Sequence, residues 1–212
     1  MPYPIFTKQD KLENVVLDLD DFCAKPTNDC LNYLLWIKWK YPQFKVTLFA
    51  IPFYENETQE YFFREVVKFD WIQLAVHGWH HSTPRECEKW DYNTAKILIE
   101  KAEAMGVFKK IFKAPGWQIS DDTYKVLLEK NYIVADHNYN EERRPKELRA
   151  YTVDHPWLVH GHTWDIDHPD PNYRNGIRQI IEEHGVPWNM DSKFYFISDL
   201  FANADDIKNP II

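Results

Sequence analysis

Short apolar runs alternate with stretches of helical periodicity along nearly the whole chain, and this rhythm limits the folds open to it. Strands read at residues 13–19, 45–51, 71–76, 110–113, 132–135, 156–160 and 194–198. Helical spacing falls between them, at 29–40, 58–69, 91–105, 120–130 and 173–184. The boundaries carry their own chemistry. Thr27 or Asn28 suits the cap of the first helix, Ser120 with Asp121 and Asp122 loads the start of the fourth with acceptors and negative charge, and Gly106 and Gly185 stop the third and fifth. A strand, a helix and a further strand return parallel through a right-handed crossover. About seven such units predict an α/β chain with a mainly parallel sheet, closed into a barrel or an open variant of one. Segment 138–154, charged and broken by Pro145, reads as a surface loop, and the tail after Phe201 as peripheral. With 212 residues and no compositional break, 1–212 reads as a single domain.

Composition narrows the function. Lys and Arg number 25 against 33 Asp and Glu, a net charge of −8, which disfavours general binding to phosphate backbones. No apolar run is long enough to span a membrane. The start, Met1 to Lys8, lacks a basic region followed by an apolar one, so a cytoplasmic location is the expectation. Cys23, Cys30 and Cys87 form no Cys-x-x-Cys pair, which points to reduced thiols and away from a thiolate zinc site. Aromatic residues make up 16% of the chain; many belong in a core, and aromatic walls also suit sugar rings.

In parallel α/β architectures functional groups gather beyond the carboxyl ends of the strands. Here those ends read Asp18-Leu19-Asp20-Asp21, His77-Gly78-Trp79-His80-His81, Lys113-Ala114-Pro115-Gly116-Trp117, Asp136-His137-Asn138 and His160-Gly161-His162-Thr163-Trp164. Adjacent carboxylates need a cation nearby if both are buried and ionised, and neighbours on a strand point opposite ways, so Asp20 and Asp21 are expected to serve different partners. A loop start or helix cap would use the same residues. His77 and His81, four apart on a helical turn, would share a face and suit one divalent ion, with His80 as competitor. One carboxylate and two histidines leave coordination positions open, as catalytic zinc or a similar metal requires. His160 and His162 share a face at strand spacing, and one could act as general acid opposite a carboxylate base. His155, His168 and His184 read as structural or solvated.

In this order, these segments resemble the motifs of the polysaccharide deacetylase family, the NodB-homology domain of carbohydrate esterase family four. Leu19-Asp20-Asp21-Phe22 resembles its first motif, Lys45-Val46-Thr47-Leu48-Phe49 its second strand, His77 to His81 its His-x-x-x-His motif, and Phe112 to Trp117 its Arg-x-Pro segment. Val159-His160-Gly161-His162-Thr163-Trp164 is similar to its late histidine motif, and residues 194–199 to its closing strand. The resemblance spans about residues 13 to 200. It implies a distorted (β/α)-barrel of about seven mainly parallel strands, the NodB-like fold, with Asp20 as base, Asp21, His77 and His81 holding the metal, and His162 as acid, with His160 as the alternative. Lys113 stands where the family's arginine buttresses the catalytic aspartate; it keeps the charge and loses the planar fork. Asp136 is the candidate for the fourth motif.

The reaction these readings imply is metal-assisted amide hydrolysis, most simply N-deacetylation. The ion would be zinc, with cobalt, nickel or iron as alternatives. The substrate would be a glycan or small molecule bearing an acylated amine. Trp79, Trp117 and Trp164 are candidate pocket walls, Pro115 and Gly116 shape the turn beside them, and a backbone N–H near Gly116-Trp117 is a candidate oxyanion donor. Two rivals use the same residues. One is a non-haem Fe(II) oxygenase, which also needs two histidines and a carboxylate. The other is a metal-holding module that binds a glycan without cutting it. Nothing in the sequence speaks to oligomeric state.

Overall fold

A computed structural model of the protein describes residues 11–25, 30–164, 176–183 and 185–202. The order of elements is β1 (Leu12–Phe22), α1 (Leu31–Lys40), β2 (Val46–Ala50), a hairpin of β3 (Phe53–Tyr54) and β4 (Glu57–Thr58), α2 (Glu60–Val66), β5 (Ile72–His77) and α3 (Tyr92–Ala104). There follow β6 (Ile111–Lys113), α4 (Asp121–Glu129), β7 (Ile133–Asp136), β8 (Arg149–Thr152), β9 (Leu158–His162) and β10 (Trp188–Tyr195). Eight strands make one curled sheet in the order β10-β1-β2-β5-β6-β7-β8, with β9 also paired to β1. Every pairing in it is parallel. The expected distorted (β/α)-barrel is the architecture found. β1 is its centre: β2 runs along one edge, while β10 and then β9 share the other.

Period-two alternation decides what each strand sends where. On β1, Val15, Leu17 and Leu19 join Leu34 and Ile37 of α1 and Phe63 of α2 in the larger outer core. Val76, Phe112 and Val134 of β5 to β7 pack against α3 and α4 through Ile99, Ala102, Val126 and Leu127. The intervening residues, Val16, Phe49, Ala75, Ile111, Ile133 and Ala135, fill the barrel with Tyr151 and Ile197. Both faces of these strands are buried, so they read as near-continuous apolar runs. Burial of a side chain such as Leu17 contributes about 1.5–3 kcal/mol.

Most boundaries follow the local chemistry. Asp91 caps α3 by accepting from Thr94 N at 2.8 Å, and Ser120 caps α4 by accepting from Thr123 N at 3.0 Å. Gly106 ends α3 at φ +67°, a conformation glycine adopts without strain. Three expectations are corrected. The loop read over 138–154 contains β8, whose Arg149-Ala150-Tyr151-Thr152 pairs with β7 and turns Tyr151 inward. The last strand runs earlier than 194–198 and ends at Tyr195, because Asp199 accepts from Phe196 N at 3.0 Å and winds Ile197–Phe201 into a 3₁₀ turn. Within the helix read over 173–184, Gln179–Glu183 winds as a π-helix. The β3–β4 hairpin, unforeseen, turns on the positive φ of Glu55 and Asn56, as a type I′ turn does. Thr27, Asn28, His168, His184 and residues 173–175 lie outside the described residues. All three cysteines are buried, with no disulfide among the described residues. No helix among the described residues is long and apolar enough to cross a membrane.

Candidate active site

The inward column that is apolar low in the barrel becomes charged at the carboxyl ends of the strands. Two residues beyond Val16 comes Asp18, and two further Asp20, both buried. The parallel register sets Asp18 beside His160 and Asp20 beside His162 of β9. On the neighbouring strands it sets His77 beside Lys113. Asp21 leaves the alternation: its φ is +68°, and the β1–β2 register is irregular between Leu19 and Phe22. The two adjacent carboxylates therefore meet different partners.

Asp21 Oδ1 lies 3.3 Å from His77 Nε2 and 3.0 Å from His81 Nε2. Bonds of about 2.0 Å at tetrahedral angles set two ligand atoms about 3.3 Å apart, so the donor spacing fits a zinc-sized ion. The supporting contacts fit as well. His77 Nδ1 donates to the Lys113 carbonyl at 3.1 Å, which turns Nε2 towards Asp21. Trp164 Nε1 donates to Asp21 Oδ2 at 2.5 Å, and Oδ1 faces the two imidazoles. Burial opposes ionisation of Asp21, yet hydrogen bonds from both histidines hold its carboxyl well below the usual range. Burial likewise lowers His81, and Asp21 more than reverses this.

The histidines do not meet on a helical turn, as their spacing predicted. His77 ends β5, and the chain reaches His81 through positive φ at Gly78 (+60°) and His81 (+48°). Glu86 holds this bend by accepting from the backbone N–H of Trp79 (2.6 Å), His80 (3.2 Å) and His81 (3.1 Å). A Cβ at Gly78 would collide with Glu86 Oε1 and crowd the Pro115 ring. His80, the competing ligand, turns away and meets Phe53 edge-on at 4.6 Å.

Beside the metal-type group lies a second cluster. Lys113, fully buried, donates through Nζ to Asp18 Oδ2 and Asp20 Oδ1, both at 2.8 Å. Its ammonium sits 4.1 Å from the ring centre of Phe49 and 4.8 Å from that of Trp117. Burial opposes the charge on Asp20, but Lys113, helped by His77, His160 and His162, brings its carboxyl down to about 2. Burial lowers Lys113, and Asp18 and Asp20 raise it beyond its ordinary value. His160 Nδ1 lies 2.6 Å from Asp18 Oδ1. Asp20, His160 and His162 also offer donor atoms within 4.8 Å of one another. The ammonium already against Asp20 repels a second cation there, so this cluster suits proton transfer. Burial pushes His162 down to about 4, against the pull of Asp21 and Asp20.

The expected walls divide. Trp164 packs on His162 at 4.0 Å between ring centres, and Trp117 meets His160 edge-on at 5.5 Å, so both line the site. Trp79 instead is core, stacked on Phe53 at 5.9 Å. Pro115 is buried, and Gly116 at φ +59° runs so close to Pro84 that a Cβ would strike its carbonyl oxygen. The Trp117 N–H, a candidate oxyanion donor, is committed to the Ala114 carbonyl at 2.9 Å. Asp136 is placed apart. It follows Val134 by two residues and so faces the helices. There it accepts from Tyr124 Oη (2.7 Å), Arg144 Nη1 (2.9 Å), His137 N (2.8 Å) and Asn140 Nδ2 (2.7 Å). Asn140 Nδ2 also reaches the Trp117 carbonyl at 2.9 Å, so Asp136 steadies the loop that carries a wall. Sequence reasoning passed over Asp18 and Glu86. Asp18 had a signal, since it stands two before Asp20 on a strand; Glu86 had none.

No protein-family model matches the sequence, and no curated protein does. Solved structures do. The Xyl-CE4 domain of a multidomain xylanase from the hindgut metagenome of Trinervitermes trinervoides superposes with a TM-score of 0.55 at 18% identity, covering 96% of this chain and 95% of that one. The chitin deacetylase of the fungal pathogen Colletotrichum lindemuthianum gives 0.56 at 14% identity, covering 93% and 92%. A family 4 acetyl xylan esterase from Clostridium thermocellum, solved with a cobalt ion, gives 0.53 at 16%, covering 88% and 89%. At such identities the likeness is one of fold. The chain has the fold of the carbohydrate esterase family four proteins, in agreement with the resemblance read from its motifs.

Proposed function

We propose that the protein is a metal-dependent amide hydrolase, most simply an N-deacetylase of an acetylated amino sugar or glycoconjugate. The observation that carries this reading is the meeting of Asp21, His77 and His81 around one point, with the ionised Asp20 next in the chain. That the structures sharing this fold include a chitin deacetylase and a cobalt-bound acetyl xylan esterase supports it. Asp21, His77 and His81 would hold the ion. A divalent ion there supplies Lewis acidity for an acyl oxygen and lowers the pKa of water to about 7.

The chain's own residues do the rest. Asp20, kept ionised by Lys113, takes a proton from the attacking water. A histidine of β9 protonates the departing amine. Trp117 and Trp164 flank these groups and give a sugar ring apolar faces to lie against. The test is release of acetate from a panel of N-acetylated amines by protein loaded with zinc or cobalt. Asp20→Asn should lower kcat by about 10²-fold or more with the bound ion retained. His77→Ala should lose the ion. A loaded wild-type protein that releases no acid from any member of the panel overturns the reading.

A further inference from the structure

Asp21 is the ligand whose aim the sheet determines least. Its backbone is left-handed, at φ +68°, where the register of β1 with β2 is irregular, so strand pairing alone does not direct its side chain. A carboxylate meets a cation through one oxygen or chelates it through both. One oxygen beside two imidazoles suits a four-coordinate ion such as zinc; a chelating carboxylate suits ions of higher coordination number. Resting on the metal site of the reading above, we propose that the indole N–H of Trp164 confines Asp21 to one oxygen, and that Trp164 thereby governs which metal the protein selects.

The register of β9 on β1 brings the two side chains together. Past the pairing of Asp20 with His162, Thr163 N still donates to the Asp20 carbonyl at 2.9 Å, so the chain after β9 follows β1 to the point where β1 leaves the strand path. Trp164 comes next, and its Nε1 donates to Asp21 Oδ2 at 2.5 Å. The other oxygen, Oδ1, is the one that lies 3.3 Å from His77 Nε2 and 3.0 Å from His81 Nε2. One oxygen is turned to the indole and the other to the imidazoles. Any rotation that brings Oδ2 round to the ion breaks this short bond. An indole suits the task because it is a donor only, and so cannot itself become a ligand. Trp164 has little room to swing: it is buried, and its ring lies on that of His162 at 4.0 Å between centres.

The other two ligands are backed as well. The Lys113 carbonyl orients His77, and Glu86 gathers the backbone of the bend that carries His81. Those supports fix where an imidazole stands. The one on Asp21 differs in kind, since it decides how many oxygens an ion receives.

The test reads metal binding rather than hydrolysis. Trp164→Phe keeps an aromatic ring against His162 and removes the N–H. Chelator competition on metal-free protein should show zinc affinity falling by about 10–100-fold. Manganese, which suits carboxylate oxygens, should lose less, so that the margin of zinc over manganese narrows by about tenfold. The visible absorption of the cobalt-loaded variant should weaken, as it does when a tetrahedral ion gains ligands. Circular dichroism shows whether the variant is folded. A crystal structure of the zinc-loaded wild type is the check that needs no variant, and it decides the matter should Trp164→Phe misfold: Asp21 should bind through Oδ1 alone, with the indole nitrogen still on Oδ2. A chelating Asp21 in that structure, or an unchanged zinc-to-manganese margin in folded Trp164→Phe, overturns the assignment. A wild type that binds neither metal overturns the metal site and this proposal together. A wild type whose metal selectivity depends on Trp164, yet which releases no acid from any amide, overturns the hydrolase reading and leaves this one standing.

Discussion

Lys113 has little freedom, because every neighbour defines where its ammonium sits. Two carboxylates hold it and two aromatic rings enclose it. Removing the charge and keeping the length, as in Lys113→Met, leaves Asp18 and Asp20 buried without their cation. Breaking a buried pair in this way costs about 3–5 kcal/mol. Urea denaturation should report that loss in the metal-free protein, where the ion plays no part. Gly78 tests the other cluster. Gly78→Ala should displace Glu86 from the three amides it gathers, and the loop that carries His81 with it. Damage to the supports of metal ligands typically costs 10–100-fold in affinity, which competition with a chromophoric chelator should detect.

Elements are where the sequence spoke most clearly, and where it misled. Ser120 announced α4 through local chemistry alone, so Ser120→Ala should cost about 1 kcal/mol, or about 2–4 °C in Tm. The apolar strands were equally legible, since both of their faces are buried. β8 was not: Arg149 and Thr152 are polar at its ends, and its partner β7 lies outside any local window. The His77–His81 spacing favoured a helix because spacing alone cannot register a carboxylate arriving from Glu86. Asp20, Asp21, His77, His81 and the β9 histidines stood out as residue types at strand ends. What stayed hidden was their pairing. Asp18 meets His160 across 142 residues and Lys113 across 95, contacts that only the sheet register creates. Asp136 showed the reverse failing, a strand-end acid whose parity turns it towards the helices.

For the molecule as a whole, an ion at Asp21, His77 and His81 would tie β1 to the loop after β5. Ligand held only by the native state adds RT ln(1 + [L]/Kd), about 2.7 kcal/mol at a hundredfold excess over Kd. In a domain of this size that is about 5–11 °C in Tm. Differential scanning calorimetry should show the shift on zinc addition, its reversal by a chelator, and its absence in His77→Ala.

The central position of β1 has a consequence for how the chain tolerates change. Its odd residues seal the oil of the outer core, and its even residues carry the acids of the site. Inserting a single residue before Val15 would exchange the two sets, driving Asp18 and Asp20 against Leu34 and Phe63 and Leu17 and Leu19 into the barrel mouth. Parity along this one strand therefore governs foldability and chemistry together.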